Sequence, residues 1–329
     1  MATLQEVAKE LNISVSLVSK VLNDRMGTTG CSRQIKQAII AKARELGFQR
    51  NLLAAALRAG KRAAIGVFIH PLGEAGSELV EELLIGISET LNEKDLRIWL
   101  TFYQTDEQFL HHCSRTARRD VDGLLVAGVM HRTLAEPIRQ IAKSGVPVVT
   151  LVSGGMSRNL PNVWSDERQQ TYLSTSHLIE RGCRRIAHIH NMNARYTGYR
   201  QALREHGLKF DPALIYRAAN YKLPQGTDAV RYWFGKKLNF DGVVAQSDHQ
   251  ALGVIHELLR RDVKVPEQVR VIGIDDSPLC EASPVLLSSV SQEMRQIGRL
   301  ASELLLRRIE GETVTSMTVW SKLHVRAST

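Results

Sequence analysis

The sequence predicts a small all-α head followed by an α/β body built on two doubly wound parallel sheets. Three observations predict it. Positive charge is crowded into the first 62 residues. Three amphipathic helical stretches occupy the first 48. From residue 64 onward, short apolar runs alternate with amphipathic helical segments.

At 329 residues the chain is too long for one ordinary core, and 43% hydrophobic with 23% charged residues is the composition of a soluble globular protein. No apolar stretch reaches membrane-spanning length, and the N-terminus lacks a charged-then-apolar signal layout, so a cytoplasmic protein with no membrane partner is expected. Cys31, Cys113, Cys183 and Cys280 lie far apart with no C-x-x-C pair, which disfavours zinc ribbons and redox motifs and fits a reducing compartment. The net charge of +9 divides unevenly. Residues 1–62 hold eleven Lys and Arg against four acids, and the remaining residues hold 32 against 30. A cationic head on a near-neutral body is the footprint of a polyanion-binding module.

In the head, Thr3 is placed to cap a first helix, with Glu6 completing a capping box and Leu4, Val7, Ala8 and Leu11 at helical spacing. Asn12 and Ile13 interrupt the pattern. Ser14 caps a second helix with Leu17, Val18, Val21 and Leu22 on one face and Val15, Ser16, Ser19, Lys20 and Asn23 on the other. A third stretch from about Arg33 to Leu46 is expected to turn Ile35, Ile39, Ile40, Ala43 and Leu46 inward, and Gly47 stops it. Two short helices joined by a tight turn and braced by a third form a helix-turn-helix. The small, polar face of the second helix then belongs in a DNA major groove rather than in a core. The alternative is a three-helix bundle with no DNA role.

The segment RNLLAAALRAGKR, residues 50–62, links head to body. Leu53, Ala54 and Leu57 share a helical face, yet a two-turn helix is too short to hold alone in water. In the body, strands are expected at 64–70, 97–102, 123–128, 147–152, 185–190, 242–247 and 269–276, with helices over 78–94, 170–182, 195–207 and 251–261. Seven strands over this length argue for two sheets. Ligands of such sheets sit at the carboxyl ends of the strands. Asp275, Ser247, Asp248 and His70 end strands, and Arg195 opens the helix after the strand around Ile189. Tyr221 and Trp164 are included by position as aromatic faces on which a ligand ring can stack, the alternative being packed core aromatics.

TLQEVAKELNISVSLVSKVLN, with G-F-x-x-N-x-x-A-x-x-L at 47–57, resembles the LacI/GalR (lac-repressor-type) family of bacterial transcription regulators, and the resemblance runs end to end, closing in LHVRAST. It implies a helix-turn-helix DNA-binding domain over 1–48, a hinge over 49–62, and a two-lobed effector-binding and dimerisation domain over 63–329 resembling a periplasmic sugar-binding protein. Its N-lobe is expected at about 63–162 and 291–319, and its C-lobe at about 163–290 and 320–329. It assigns Val15, Ser16 and Lys20 to base readout and Thr3, Ser14, Ser19 and Asn23 mainly to the DNA backbone. Asn51, Ala54 and Leu57 go to a hinge helix that folds on operator DNA, Leu57 acting as a wedge between base pairs. Arg195 matches the family arginine that contacts the effector.

Several positions depart from the family pattern. Leu17 stands where Thr is usual and Lys20 where Arg is usual, so the bidentate fork of Arg is replaced by a point charge. Arg50 replaces a proline, and the usual Asp near Val152 is missing. No leucine-heptad tail follows, so a homodimer is expected rather than a tetramer. The expected partners are double-stranded operator DNA and a small sugar-like effector, with no cofactor.

Other features point elsewhere and fall short. His188 and His190 share a strand face without a third ligand, which disfavours a metal site. Gly154 and Gly155 precede no G-K-[ST] of a phosphate loop, and Asp275–Asp276 has no nucleophile or acid partner, so an enzyme is not expected. A solute-binding module serving transport would need a signal sequence and no basic head.

Overall fold

The computed structural model describes residues 2–22, 30–48, 62–69, 78–128, 134–152 and 160–329. They form two compact units, residues 1–62 and 63–329.

The first unit contains helices Leu4–Glu10, Val15–Leu22 and Arg33–Glu45. The Thr3 hydroxyl accepts the Glu6 amide at 3.3 Å while the Glu6 carboxylate accepts the Thr3 amide at 2.6 Å, closing the capping box. Ser14 and Ser32 cap the other two helices, each hydroxyl accepting an amide at 3.2 Å. Asn12 adopts φ 51°, the left-handed turn that redirects the chain between the first two helices. Val7, Ala8, Val18, Val21, Ile39 and Ala43 make the buried core. The expectation that the whole apolar set of the third helix faces inward is corrected. Ile35 and Ile40 are 40% and 41% exposed, because a three-helix core this small covers only the stripe through Ile39 and Ala43.

The second unit carries two six-stranded sheets. Strands β1 (Ala64–Ile69), β2 (Arg97–Phe102), β3 (Gly123–Ala127), β4 (Val148–Leu151), β5 (Asn162–Ser165) and β11 (Met317–Val319) run parallel in the order β11-β5-β4-β3-β1-β2. Strands β6 (Ile186–His190), β7 (Ile215–Arg217), β8 (Gly242–Val244), β9 (Arg270–Asp275), β10 (Ser288–Ser291) and β12 (Lys322–His324) follow the order β12-β10-β9-β8-β6-β7, with β12 antiparallel. Helices cover both faces of each sheet, which is why β1, β3, β4 and β6 are buried along their whole length.

The first lobe packs helices Leu79–Asn92 and Met294–Ile309 against one face of its sheet. They approach through glycines: a Cβ on Gly86 would stand 2.0 Å from the Arg295 carbonyl oxygen, and one on Gly298 2.3 Å from that of Leu83. In the second lobe, helices Leu223–Gly235 and Asp248–Leu259 meet the same way at Gly226 and Gly253.

The chain passes between lobes after β5, after β10 and after β11. Because β5 pairs with β4 and β11, residues 163–165 belong to the first lobe, and the boundary drawn at 162 moves to the end of that strand. Short β5, β7, β10, β11 and β12 were not among the expected strands; at three or four residues each they are too brief to show a period.

Candidate functional site

In the head, Thr3, Ser14, Val15 and Ser16 are exposed, and Ser19 and Lys20 half-exposed, around the start and one flank of helix Val15–Leu22. The opposite flank, Val18 and Val21, is buried. Val15 at 41% exposure has no core to join, so the first turn presents a small apolar contact beside two hydroxyls. That is the surface a base edge and a phosphate accept. Ser14 also caps the helix, so its hydroxyl is directed at the Leu17 amide. Asn23, Asn51, Ala54, Leu57 and His70 lie outside the described residues.

In the body, the second lobe gathers polar side chains at the carboxyl ends of its strands. Arg195, on the first turn of helix Asn193–Glu205, is only 5% exposed. Its Nη1 donates to the Gln246 carbonyl, and its guanidinium lies 5.9 Å from the Tyr221 ring centre. Burial pushes the Tyr221 phenol upward, with Arg195 opposing. Gln246, fully buried, fixes this corner: its Oε1 accepts the Met192 amide at 3.2 Å, and its Nε2 lies 3.2 Å from His188 Nε2. Gln250 ties the neighbouring loops, its Nε2 donating to Asn191 at 2.9 Å and to the Asn220 carbonyl at 2.8 Å. Neither glutamine was singled out in the sequence. The signal for Gln246 is its place at the end of GVVAQSD, one residue before Ser247.

Asp275 ends β9 and lines a cavity of about 560 Å³ together with Glu78, Glu81, Glu82, Ser277 and Arg326. This cavity lies between the lobes, with Leu79 and Met294 contributed by the first. The Gln292 amide donates to the Asp275 carboxylate at 2.6 Å. Burial raises the Asp275 carboxyl well above the usual range; the Asp248 charge adds to this and Arg195 partly offsets it. Asp276 beside it accepts from Arg326 at 2.7 Å.

Two of the expected effector residues are turned to other work. Asp248 is fully buried, and both its oxygens are engaged: Ser289 Oγ donates at 2.6 Å, the Ser277 amide at 2.7 Å and Cys280 Sγ at 3.3 Å. It clamps β9, β10 and the turn after β9 from inside the core rather than facing a ligand. Ser247 is 3% exposed and donates to the Tyr221 carbonyl at 2.7 Å while capping helix Asp248–Leu259 through the Gln250 amide. Trp164 is half-buried on β5, opposite Thr318 of β11.

His188 and His190 do share a face. His188 is fully buried, stacked at 4.7 Å on the Tyr199 ring, and burial lowers it to about 3, so it is neutral. Among the described residues no group of three or more His, Cys, Asp or Glu side chains is arranged to hold a metal, and no helix is long and apolar enough to cross a membrane. The four cysteines are free thiols.

Residues 175–329 match a periplasmic binding protein-like domain. The chain is 30% identical over 317 residues to the HTH-type transcriptional regulator RegA of Clostridium saccharobutylicum, covering 93% of this chain and 92% of that protein. It is 28% identical to catabolite control protein A of Priestia megaterium over 96% of this chain and 95% of that one. Among solved structures, a transcriptional regulator CelR–cellobiose complex superposes with TM-score 0.72 at 26% identity, each chain covered in full. A lac repressor dimer bound to operator and the anti-inducer ONPF gives TM-score 0.78 at 18% identity, over 99% and 98% of the two chains, which speaks for the fold.

Proposed function

This chain belongs to the LacI/GalR family of transcription regulators, and from that premise we propose that a sugar-like effector held between its two lobes controls how tightly its heads hold operator DNA. The protein is a DNA-binding transcription regulator. Its named relatives are transcription regulators, and the described residues of the site have the chemistry of recognition: buried donors and acceptors with an aromatic face.

The observation that carries the reading is the pairing, in one chain, of a cationic three-helix head with a second lobe that gathers Arg195, Tyr221 and Asp275 near the carboxyl ends of its strands. Named relatives include ribose operon repressors and a cellobiose-bound regulator, which supports a sugar as the effector class. In this reading Val15, Ser16 and Lys20 meet base edges, Thr3, Ser14, Ser19 and Asn23 the DNA backbone, and Asn51, Ala54 and Leu57 the hinge contacts. The effector residues in this reading are His70, Trp164, Arg195, Tyr221 and Asp275, with Ser247 and Asp248 holding the loops and strand ends of the second lobe through the Tyr221 carbonyl, Ser277 and Ser289. Lobe closure around ligand biases a two-state pair of subunits, and coupling of about 1–3 kcal/mol shifts occupancy about 5- to 150-fold.

The protein acts as a cytoplasmic homodimer whose two heads read a near-palindromic site. The dimer covers the exposed apolar edge of β2, where Trp99, Leu100 and Phe102 are 50%, 41% and 57% exposed. Mobility shift on the DNA upstream of its own gene, at two salt concentrations and with candidate sugars, tests the proposal. Binding that weakens steeply with salt, keeps its sequence preference and responds to a sugar supports it. Arg195→Ala should keep the operator shift and lose the sugar response. Failure of every fragment to shift at low salt overturns the regulator reading.

A further inference from the structure

His188 is fully buried within β6, its ring stacked on Tyr199. An aliphatic or phenyl side chain fills such a place without the cost of burying a polar ring. The reason for an imidazole lies on the neighbouring strand. In the β6–β8 pairing His188 stands opposite Val244, so Gln246, two residues further on, returns to the same face and meets it.

The contacts of Gln246 fix what His188 must do. The Met192 amide can only donate, so the atom it reaches is Gln246 Oε1, and the Gln246 side-chain nitrogen faces His188 Nε2 at 3.2 Å. That nitrogen carries hydrogens. His188 Nε2 is therefore bare and accepts, and the proton of the neutral ring sits on Nδ1. An imidazolium would set N–H against N–H. Burial first, then His190 and Arg195, lower His188 to about 3, and the rings stacked on it, Tyr196 and Tyr199, are phenols rather than carboxylates.

Gln246 also accepts Arg195 Nη1 at its own carbonyl, and Arg195 Nε is buried with no hydrogen-bond partner among the described residues. One glutamine thus grips both ends of residues 192–195, the first through its side chain and the last through its backbone, and leaves one guanidinium donor free.

We propose that His188 is a positioning residue for Arg195: by accepting from Gln246 it holds residues 192–195 so that the free Arg195 donor is presented to ligand. The proposal rests on Arg195 being an effector contact, and makes ligand affinity depend on a side chain buried beneath the site. Without an acceptor at His188 the Gln246 amide loses one of its two anchors, and the grip on Met192 and Arg195 loosens with it.

NMR on the full-length protein without ligand decides this. In wild type the ring nitrogen shifts of His188 should show Nδ1 protonated and Nε2 bare; a proton on Nε2 overturns the proposal, whether or not any variant folds. The Arg195 Nε–H signal, assigned by its absence from Arg195→Lys, is then followed in variants. His188→Gln keeps an acceptor at about the reach of Nε2 but no ring, and His188→Phe keeps the ring on Tyr199 but no acceptor. Exchange of the Arg195 proton with solvent should stay within about threefold of wild type in His188→Gln and rise at least about tenfold in His188→Phe. Gln246→Leu should match His188→Phe. If His188→Phe exchanges no faster than His188→Gln, His188 only packs, and the proposal is overturned.

Thermal shift with ribose and with cellobiose reads the consequence. Whichever sugar stabilises wild type should bind His188→Phe at least about tenfold more weakly, and His188→Gln nearly as well as wild type. Equal binding to the two variants severs affinity from the placement of Arg195 and overturns the proposal. An Arg195 proton that behaves as expected in a protein whose operator binding answers to no sugar upholds the positioning and sinks the effector reading instead.

Discussion

Ile65, Val67, Leu125, Val149 and Val163 fill the centre of the first lobe, whereas the second lobe buries His188, Gln246, Asp248, Ser288 and Ser289 along its own sheet and strand ends. The strand plans correspond and both lobes have apolar cores, but the second buries many more hydrogen-bonded polar groups beside its own. An aliphatic interior asks only for volume and tolerates exchange. An interior of hydrogen-bonded polar groups asks for one geometry, because each unpaired member costs more than its bond contributed. The second lobe is the one whose arrangement is over-determined.

The outer edges differ as well. At the far edge of the second sheet, Tyr216 on β7 packs 5.7 Å from Tyr232 of the adjacent helix. The corresponding edge of the first, β2, leaves Trp99 half exposed and Phe102 57% exposed. One lobe covers its edge with its own side chains, and the other keeps an exposed apolar edge, the one assigned above to the proposed dimer.

The largest test of this contrast is Asp248→Ala, which strands the Ser289 hydroxyl and the Ser277 amide. It should cost about 3–5 kcal/mol, read as a fall in the denaturant midpoint. A cost below about 1 kcal/mol would place Asp248 outside the clamp described here.

Next comes Phe102→Asp. Removing an anchor of about 2 kcal/mol or more should weaken the dimer at least about 30-fold while the monomer stays folded, visible by sedimentation against circular dichroism. An undiminished dimer would move the interface elsewhere.

Acid should separate the lobes further. His188 is lowered to about 3 in the folded protein, from about 6.5 unfolded, so below pH 6.5 the unfolded chain takes up a proton that the native state refuses. Its stabilising contribution is complete above pH 6.5 and lost as pH falls toward 3, about 2 kcal/mol of it between pH 7 and 5. The raised carboxyls of Asp248 and Asp275 act in the opposite sense. The quantity to compare by calorimetry is therefore the pH dependence of wild type minus that of His188→Phe. No difference between them would remove His188 from the acid response. Smallest is the effect of Leu125→Met in the first lobe, which should cost less than about 1.5 kcal/mol; a larger loss would deny the tolerance claimed for that interior.

Much of this was legible in the residues. Thr3 with Glu6 announces a helix start, Asn12 the turn, and the runs ending at His190 and Asp275 announce strands whose ends carry polar groups. What the sequence left hidden is direction. GVVAQSD shows that Ser247 and Asp248 follow a strand, but whether Asp248 points to ligand or core depends on Ser277 and Ser289, about 30 and 40 residues away, coming to meet it. Ile35 and Ile40 fit an amphipathic helix by spacing, yet the core beneath is too small to cover them. The helix Asp106–Arg119, DEQFLHHCSRTARR, is so polar that only its Thr105 cap marks it.

The three passages between lobes set an order on how the protein comes into being. Helix Met294–Ile309 and strand β11 complete the first lobe, yet they leave the ribosome after nearly all of the second. During synthesis the first sheet must therefore wait, its face uncovered where that helix will lie, until some 150 further residues have been made. A nascent chain in that condition has an adhesive surface, and its yield in the cell will be governed by how well that interval is shielded.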